Sequence, residues 1–160
     1  MKKILVAISC FLLVNLASAQ EIPKWKIDDV LTLIDTSSTP MVVNFWATWC
    51  QPCVHEIPWF EKAVAAYRDS GIKLVLVSLD FRSDYDNGRL RQFVKKAGYS
   101  SSVVWLNETN ADRFCPPIDS AWGGAIPATL MVNNKTGYRK FFEFQLKEER
   151  LKLELQKLVE

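Results

Sequence analysis

The stretch that decides the fold is Met41-Val42-Val43-Asn44-Phe45-Trp46-Ala47-Thr48-Trp49-Cys50-Gln51-Pro52-Cys53-Val54-His55-Glu56-Ile57-Pro58. Its first six residues read as a buried strand. Beyond the cysteines, Ile57, Phe60, Val64 and Tyr67 recur every three or four positions, which is helical spacing, and Gly71 closes that helix. Two cysteines separated by two residues therefore stand where a strand hands over to a helix. A thiol at a helix N-terminus meets unpaired backbone N–H groups and the positive end of the helix dipole, both of which favour the thiolate. The thiolate is the form that attacks disulfides.

Outward from this stretch the pattern alternates. Ile27 to Ile34 has helical spacing, Lys73 to Leu79 is a continuous apolar run suited to a sheet covered on both faces, and Arg89 to Ala97 is a short helix ending near Gly98. Val103 to Leu106 and Ala128 to Val132 read as further strands, and Tyr138 to Leu146 as a strand returning in a hairpin. Pro116, taken as a first helical position, suggests a short helix to about Trp122, and Leu151, Leu155 and Leu158 mark the buried stripe of a final helix. Gln20 to Lys26 has no period and reads as a lead-in; Asp80 to Gly88 reads as a polar loop. The expectation is an α/β domain over residues 20–160 built on a largely parallel sheet.

The first nineteen residues stand apart. Lys2 and Lys3 precede an apolar run from Ile4 to Leu16 and then Ala17-Ser18-Ala19, the pattern of a secretory signal peptide. The run is too short to span a membrane, which takes roughly 17 to 25 apolar residues. Cys10 falls inside it and is read as a passenger, because cleavage there would leave Phe11 to Leu16 on the mature chain. Removing residues 1–19 takes away two lysines and no acidic residue, so the formal charge falls from +2 to zero. A neutral chain has no basic field for nucleic acid or an anionic membrane. Three cysteines remain, Cys50, Cys53 and Cys115, in a chain bound for a compartment that permits disulfides.

Two thiols at this spacing can close a small disulfide and reopen it. Cys50, at the helix end, is expected to attack a substrate disulfide, and Cys53, one turn inward, to resolve the mixed disulfide. A structural zinc site needs four ligands. Only Cys50, Cys53, Cys115 and His55 could supply the nitrogen or sulfur ligands such a site normally uses, and His55 would point away from the cysteine face, so no metal is expected. Covalent haem needs a histidine directly after the second cysteine, where Val54 stands. A purely structural disulfide stays open as an alternative, although a bridge between near neighbours stabilises little through chain entropy.

The motif Trp49-Cys50-Gln51-Pro52-Cys53, with Pro58 five residues further on and Ile126-Pro127-Ala128-Thr129 downstream, resembles the thioredoxin-like superfamily, specifically the exported TlpA/ResA-type thiol:disulfide oxidoreductases. The resemblance runs from Met41 to the C-terminus. It implies a thioredoxin fold, a central mixed sheet flanked by helices, with Arg89 to Leu106 as a helix-plus-strand insertion. It further implies a redox-active Cys50–Cys53 disulfide with no other cofactor, and a cis proline at Pro127 facing it. Trp49, Gln51, Pro52, Ile126 and Pro127 are then the substrate-binding residues. From the residues alone an X-Pro bond defaults to trans, since only about 5 to 6% are cis. The implied partners are protein disulfides and a membrane electron-donor protein that recharges the dithiol. The chain is expected to be a monomer in the bacterial periplasm.

Two positions depart from plain thioredoxin, which carries a buried aspartate where this chain has Asn44. Glu56 is the candidate replacement: it lies three residues after Cys53, hence on the same helix face, and resembles a glutamate beneath the active site of exported relatives. In apolar surroundings its pKa would rise and it could take the Cys53 proton. The alternative is a solvated helix glutamate. His55 is read as surface, close enough to Cys50 to lower its thiol pKa modestly. Gln51-Pro52 resembles reducing members, with a potential nearer roughly −270 mV than the roughly −120 mV of a strong oxidant. An oxidase or isomerase, or a redox-inert adaptor, are the competing functions. Cys115 is read first as a buried inert thiol, with a third redox cysteine or a mixed-disulfide site as alternatives. The sequons at Asn107 and Asn134 are assigned to loops.

Overall fold

The computed structural model describes residues 21–160. The expected signal peptide, with Cys10, lies outside the described residues. In chain order the elements are β1 (Lys24–Trp25), α1 (Ile27–Thr36), β2 (Met41–Trp46), α2 (Gln51–Ala66), β3 (Lys73–Ser78), α3 (Arg82–Asp86), α4 (Arg89–Ala97), β4 (Ser102–Leu106), α5 (Ala111–Ile118), β5 (Ala128–Asn133), β6 (Tyr138–Phe142) and α6 (Glu148–Val159). The strands form one mixed sheet in the order β1-β4-β3-β2-β5-β6. β1, β4, β3 and β2 run parallel, and β5 and β6 complete the sheet as an antiparallel hairpin.

β2 is buried at all six positions because helices cover both faces of the sheet. Alternation along the strand sends Val42 and Trp46 to a core shared with α2, α4 and α6, and Val43 and Phe45 to a core shared with α1 and α5. The same parity turns Asn44 toward α2, which fixes the polar centre of the site. Arg89 to Leu106 forms α4 and β4, and β4 is inserted between β1 and β3.

Four local readings are corrected. Lys24–Trp25 is an edge strand paired with Trp105 and Leu106, a role set by the partner and invisible in a two-residue pattern. The polar loop after β3 contains α3. The helix around Pro116 begins earlier, at Ala111, because the Asn110 side chain caps it by accepting the Asp112 N–H at 2.9 Å; both prolines fall near its C-terminal end. Finally, β6 stops at Phe142 instead of Leu146, because residues 143–146 leave the sheet to bond elements around the cysteines.

Candidate active site

The cysteine turn sits at the carboxyl end of β2, and Cys50 and Cys53 are joined by a disulfide. Cys50 is the N-cap of α2: its sulfur accepts the Cys53 N–H at 3.3 Å, and Pro52 lies in the first turn, where a missing N–H costs nothing. Cys50 is 6% exposed and Cys53 is fully buried. Cys50 is thus more recessed than a free helix end implies, yet of the two cysteines it is the one that keeps any exposure. Trp49, Gln51, Pro52 and His55 are exposed around it. Pro58 lies inside α2, where it removes one helix hydrogen bond.

The loop before β5 closes over the disulfide. The Ile126–Pro127 peptide bond is cis, and the Ile126 carbonyl oxygen stands 3.8 Å from Cys50 Sγ. In the oxidised pair this is a contact without a proton. Pro127 is buried and Ile126 half-buried. All eight residues singled out from the sequence, Trp49 through Pro52 with Cys53, Glu56, Ile126 and Pro127, belong to this one locality.

Glu56 is fully buried, which removes the solvated alternative. Asn44 Nδ2 donates to its Oε1 at 2.8 Å and also to Thr129 Oγ1 at 3.0 Å, and the Leu146 N–H donates to Oε2 at 2.8 Å. Burial pushes the carboxyl pKa up to about 7, against the smaller opposing effect of these two donors. A group with that value exchanges protons near neutrality. It lies on the face of α2 that carries Cys53, one turn on.

Sequence reasoning missed the residues that hold this arrangement. Asp80, assigned to a polar loop, is buried; its carboxylate accepts from the Thr48 N–H, the Thr48 hydroxyl and the Ser78 hydroxyl, and its carbonyl accepts from Trp105 Nε1. A polar residue just past the carboxyl end of an apolar parallel strand was the available signal. Glu143 and Gln145 left none, because their partners Ala125 and Pro52 are distant in sequence. Cys115 is a free thiol buried beneath the proline loop, and burial raises its pKa to about 11. Nothing places it in contact with the disulfide. Asn134 donates to the carbonyls of Ile34 and Ser37, so its side chain ties β5 to the end of α1.

Comparison with known proteins places this architecture. The family model described as the AhpC/TSA family matches residues 17–137. The chain belongs to this family. Curated relatives include thiol-disulfide oxidoreductase ResA of Bacillus subtilis (strain 168), 23% identical over 123 residues that cover 74% of this chain and 63% of the relative. ResA of Oceanobacillus iheyensis is 44% identical over 48 residues, 30% of this chain and 25% of that protein. The chain thus spans from a quarter to about two thirds of the length of the curated relatives it matches. Among solved structures, a thioredoxin-related protein from Neisseria meningitidis serogroup B superposes with a TM-score of 0.62 at 25% identity, covering 76% of this chain and 86% of that one. StoA from Bacillus subtilis gives 0.56 at 25% identity, covering 75% and 84%. The fold of this family member is therefore the thioredoxin fold, as the motif resemblance implied.

Proposed function

We propose that this protein is an exported thiol:disulfide oxidoreductase that reduces disulfides in other proteins. The observation that carries the reading is a disulfide in which Cys50 keeps slight exposure and Cys53 keeps none, above a buried carboxyl that titrates near neutrality. In the reduced form the Cys50 thiolate attacks a substrate disulfide and expels one substrate thiolate. Cys53 then attacks Cys50 Sγ, releases the second, and Glu56 takes the Cys53 proton. Two electrons pass to the substrate and the Cys50–Cys53 bond re-forms. The Ile126-Pro127 loop, with Trp49, Gln51 and Pro52, lines the entry to Cys50. No further cofactor takes part.

Export rests on the N-terminal signal pattern; no helix among the described residues is long and apolar enough to cross a membrane. We place the mature chain in the bacterial periplasm, as a monomer without nucleic-acid partners. A reductase in that oxidising space needs recharging, and a membrane electron-donor protein fills that role.

The test is direct. Cys50→Ser is expected to abolish reduction of insulin disulfides, and Cys53→Ser to accumulate mixed disulfides with substrates. A Cys50→Ser chain that still reduces insulin overturns the assignment. The dithiol potential separates the competing functions: a value near roughly −270 mV fits the reductase, one near roughly −120 mV an oxidase, and one below roughly −300 mV an inert structural bridge.

A further inference from the structure

Among the described residues, four large apolar side chains are exposed: Trp49, Phe81, Phe144 and Leu153. Three of them stand on segments tied to the cysteine turn. Trp49 directly precedes Cys50. Phe81, 64% exposed, stacks on Trp49 with ring centroids 5.7 Å apart and 20° between the planes, and its neighbour Asp80 holds the Thr48 N–H at 3.1 Å. Phe144, 56% exposed, lies between two anchors: Glu143 Oε1 accepts the Ala125 N–H at 3.0 Å, and Gln145 Nε2 donates to the Pro52 carbonyl at 2.8 Å. Each phenylalanine is thus displayed in water by a segment whose hydrogen bonds end on the turn or on the proline loop. Gln51, Pro52 and Ala125, exposed on the turn and the proline loop, carry no charge, whereas Arg82 and Glu143 directly adjoin the two phenylalanines.

We propose that Phe81 and Phe144 are specificity residues flanking Cys50, which take apolar side chains on either side of the reactive cysteine in an extended polypeptide. This rests on the oxidoreductase reading above. Cys50 is recessed against Ile126, so a polypeptide that presents a disulfide to it lies across the turn, and the chain on both sides of that sulfur then crosses the aromatic positions. The exposed phenylalanine rings match apolar side chains on such a segment. A second copy of this chain would cover the rim without presenting a disulfide to it.

The experiment is single-turnover oxidation of the reduced full chain by three probes. Two are disulfide-linked peptides of equal length, with leucine or serine on both sides of the cysteine; the third is hydroxyethyl disulfide. The native protein is expected to react with the leucine peptide about tenfold faster than with the serine peptide, the scale of an apolar contact in a specificity site. In the Phe81→Ser/Phe144→Ser variant that ratio is expected to fall toward one. A native ratio near one, or a ratio unchanged in the variant, overturns the rim while reaction with hydroxyethyl disulfide leaves the oxidoreductase reading standing. No reaction of the native chain with any probe overturns both. Native self-association that the double variant abolishes makes a second copy the occupant and also overturns the proposal.

Discussion

Asn44 donates its side-chain amide to Glu56 across 2.8 Å, and both residues are fully buried. A neutral amide at position 44 leaves Glu56 as the one acid among the described residues at this centre, held by a donor that favours its charged form while burial favours the neutral one.

The balance sets a pH dependence of stability. Glu56 titrates near 7 when folded and near 4.5 as a free side chain. Between those values the unfolded chain releases the proton and the folded one keeps it, so the unfolded state binds fewer protons and stability falls as pH rises through the window, then levels off. The full loss is about 3 kcal/mol at 1.36 kcal/mol per unit. Denaturant melts of the oxidised protein from pH 4 to pH 8 check this; Glu56→Gln is expected to flatten the slope.

Asn44→Ala removes the donor shared by Glu56 and Thr129. The loss of that favourable bond is expected to move the Glu56 titration further up. It leaves a buried acceptor short of a partner at a cost of about 1 to 3 kcal/mol. The midpoint of the pH-dependent stability change, compared with native, reads the first effect, and melts at pH 4 read the second.

Asp80→Ala takes the acceptor from the Thr48 N–H and hydroxyl, both beside the cysteine turn. Stability is expected to drop by about 1 to 3 kcal/mol. Amide hydrogen exchange at Thr48 checks the locality of the effect: protection lost there but retained in α6 supports it, and uniform loss counts against it.

The Cys115 thiol, buried and with its pKa raised to about 11, is expected to resist iodoacetamide at pH 8 in the folded protein and to alkylate fully in denaturant. Mass spectrometry after timed labelling reads this. Rapid labelling of the native thiol would show a reactive cysteine and revive a redox role for it.

Periodicity and spacing alone determined much of this protein. The apolar run Met41–Trp46, the helical recurrence after it and the cysteine pair between them are local patterns, and strand β2, helix α2 and the disulfide appear where they were read. Local cap and turn chemistry was legible only in part: the helix around Pro116 was read from the proline alone, and the Asn110 cap that sets its start went unread. Only the tertiary structure decided that Glu56 is buried, because its surroundings come from the parity of Asn44 on β2, from Thr129 on β5 and from the Leu146 N–H, 90 residues away. The same holds for Asp80, Glu143 and Gln145. Their roles rest on hydrogen bonds to residues far along the chain, and no one-dimensional pattern carries the partner of a long-range bond. That is why the paired sulfurs could be named from the sequence, while the groups that hold them waited for the fold.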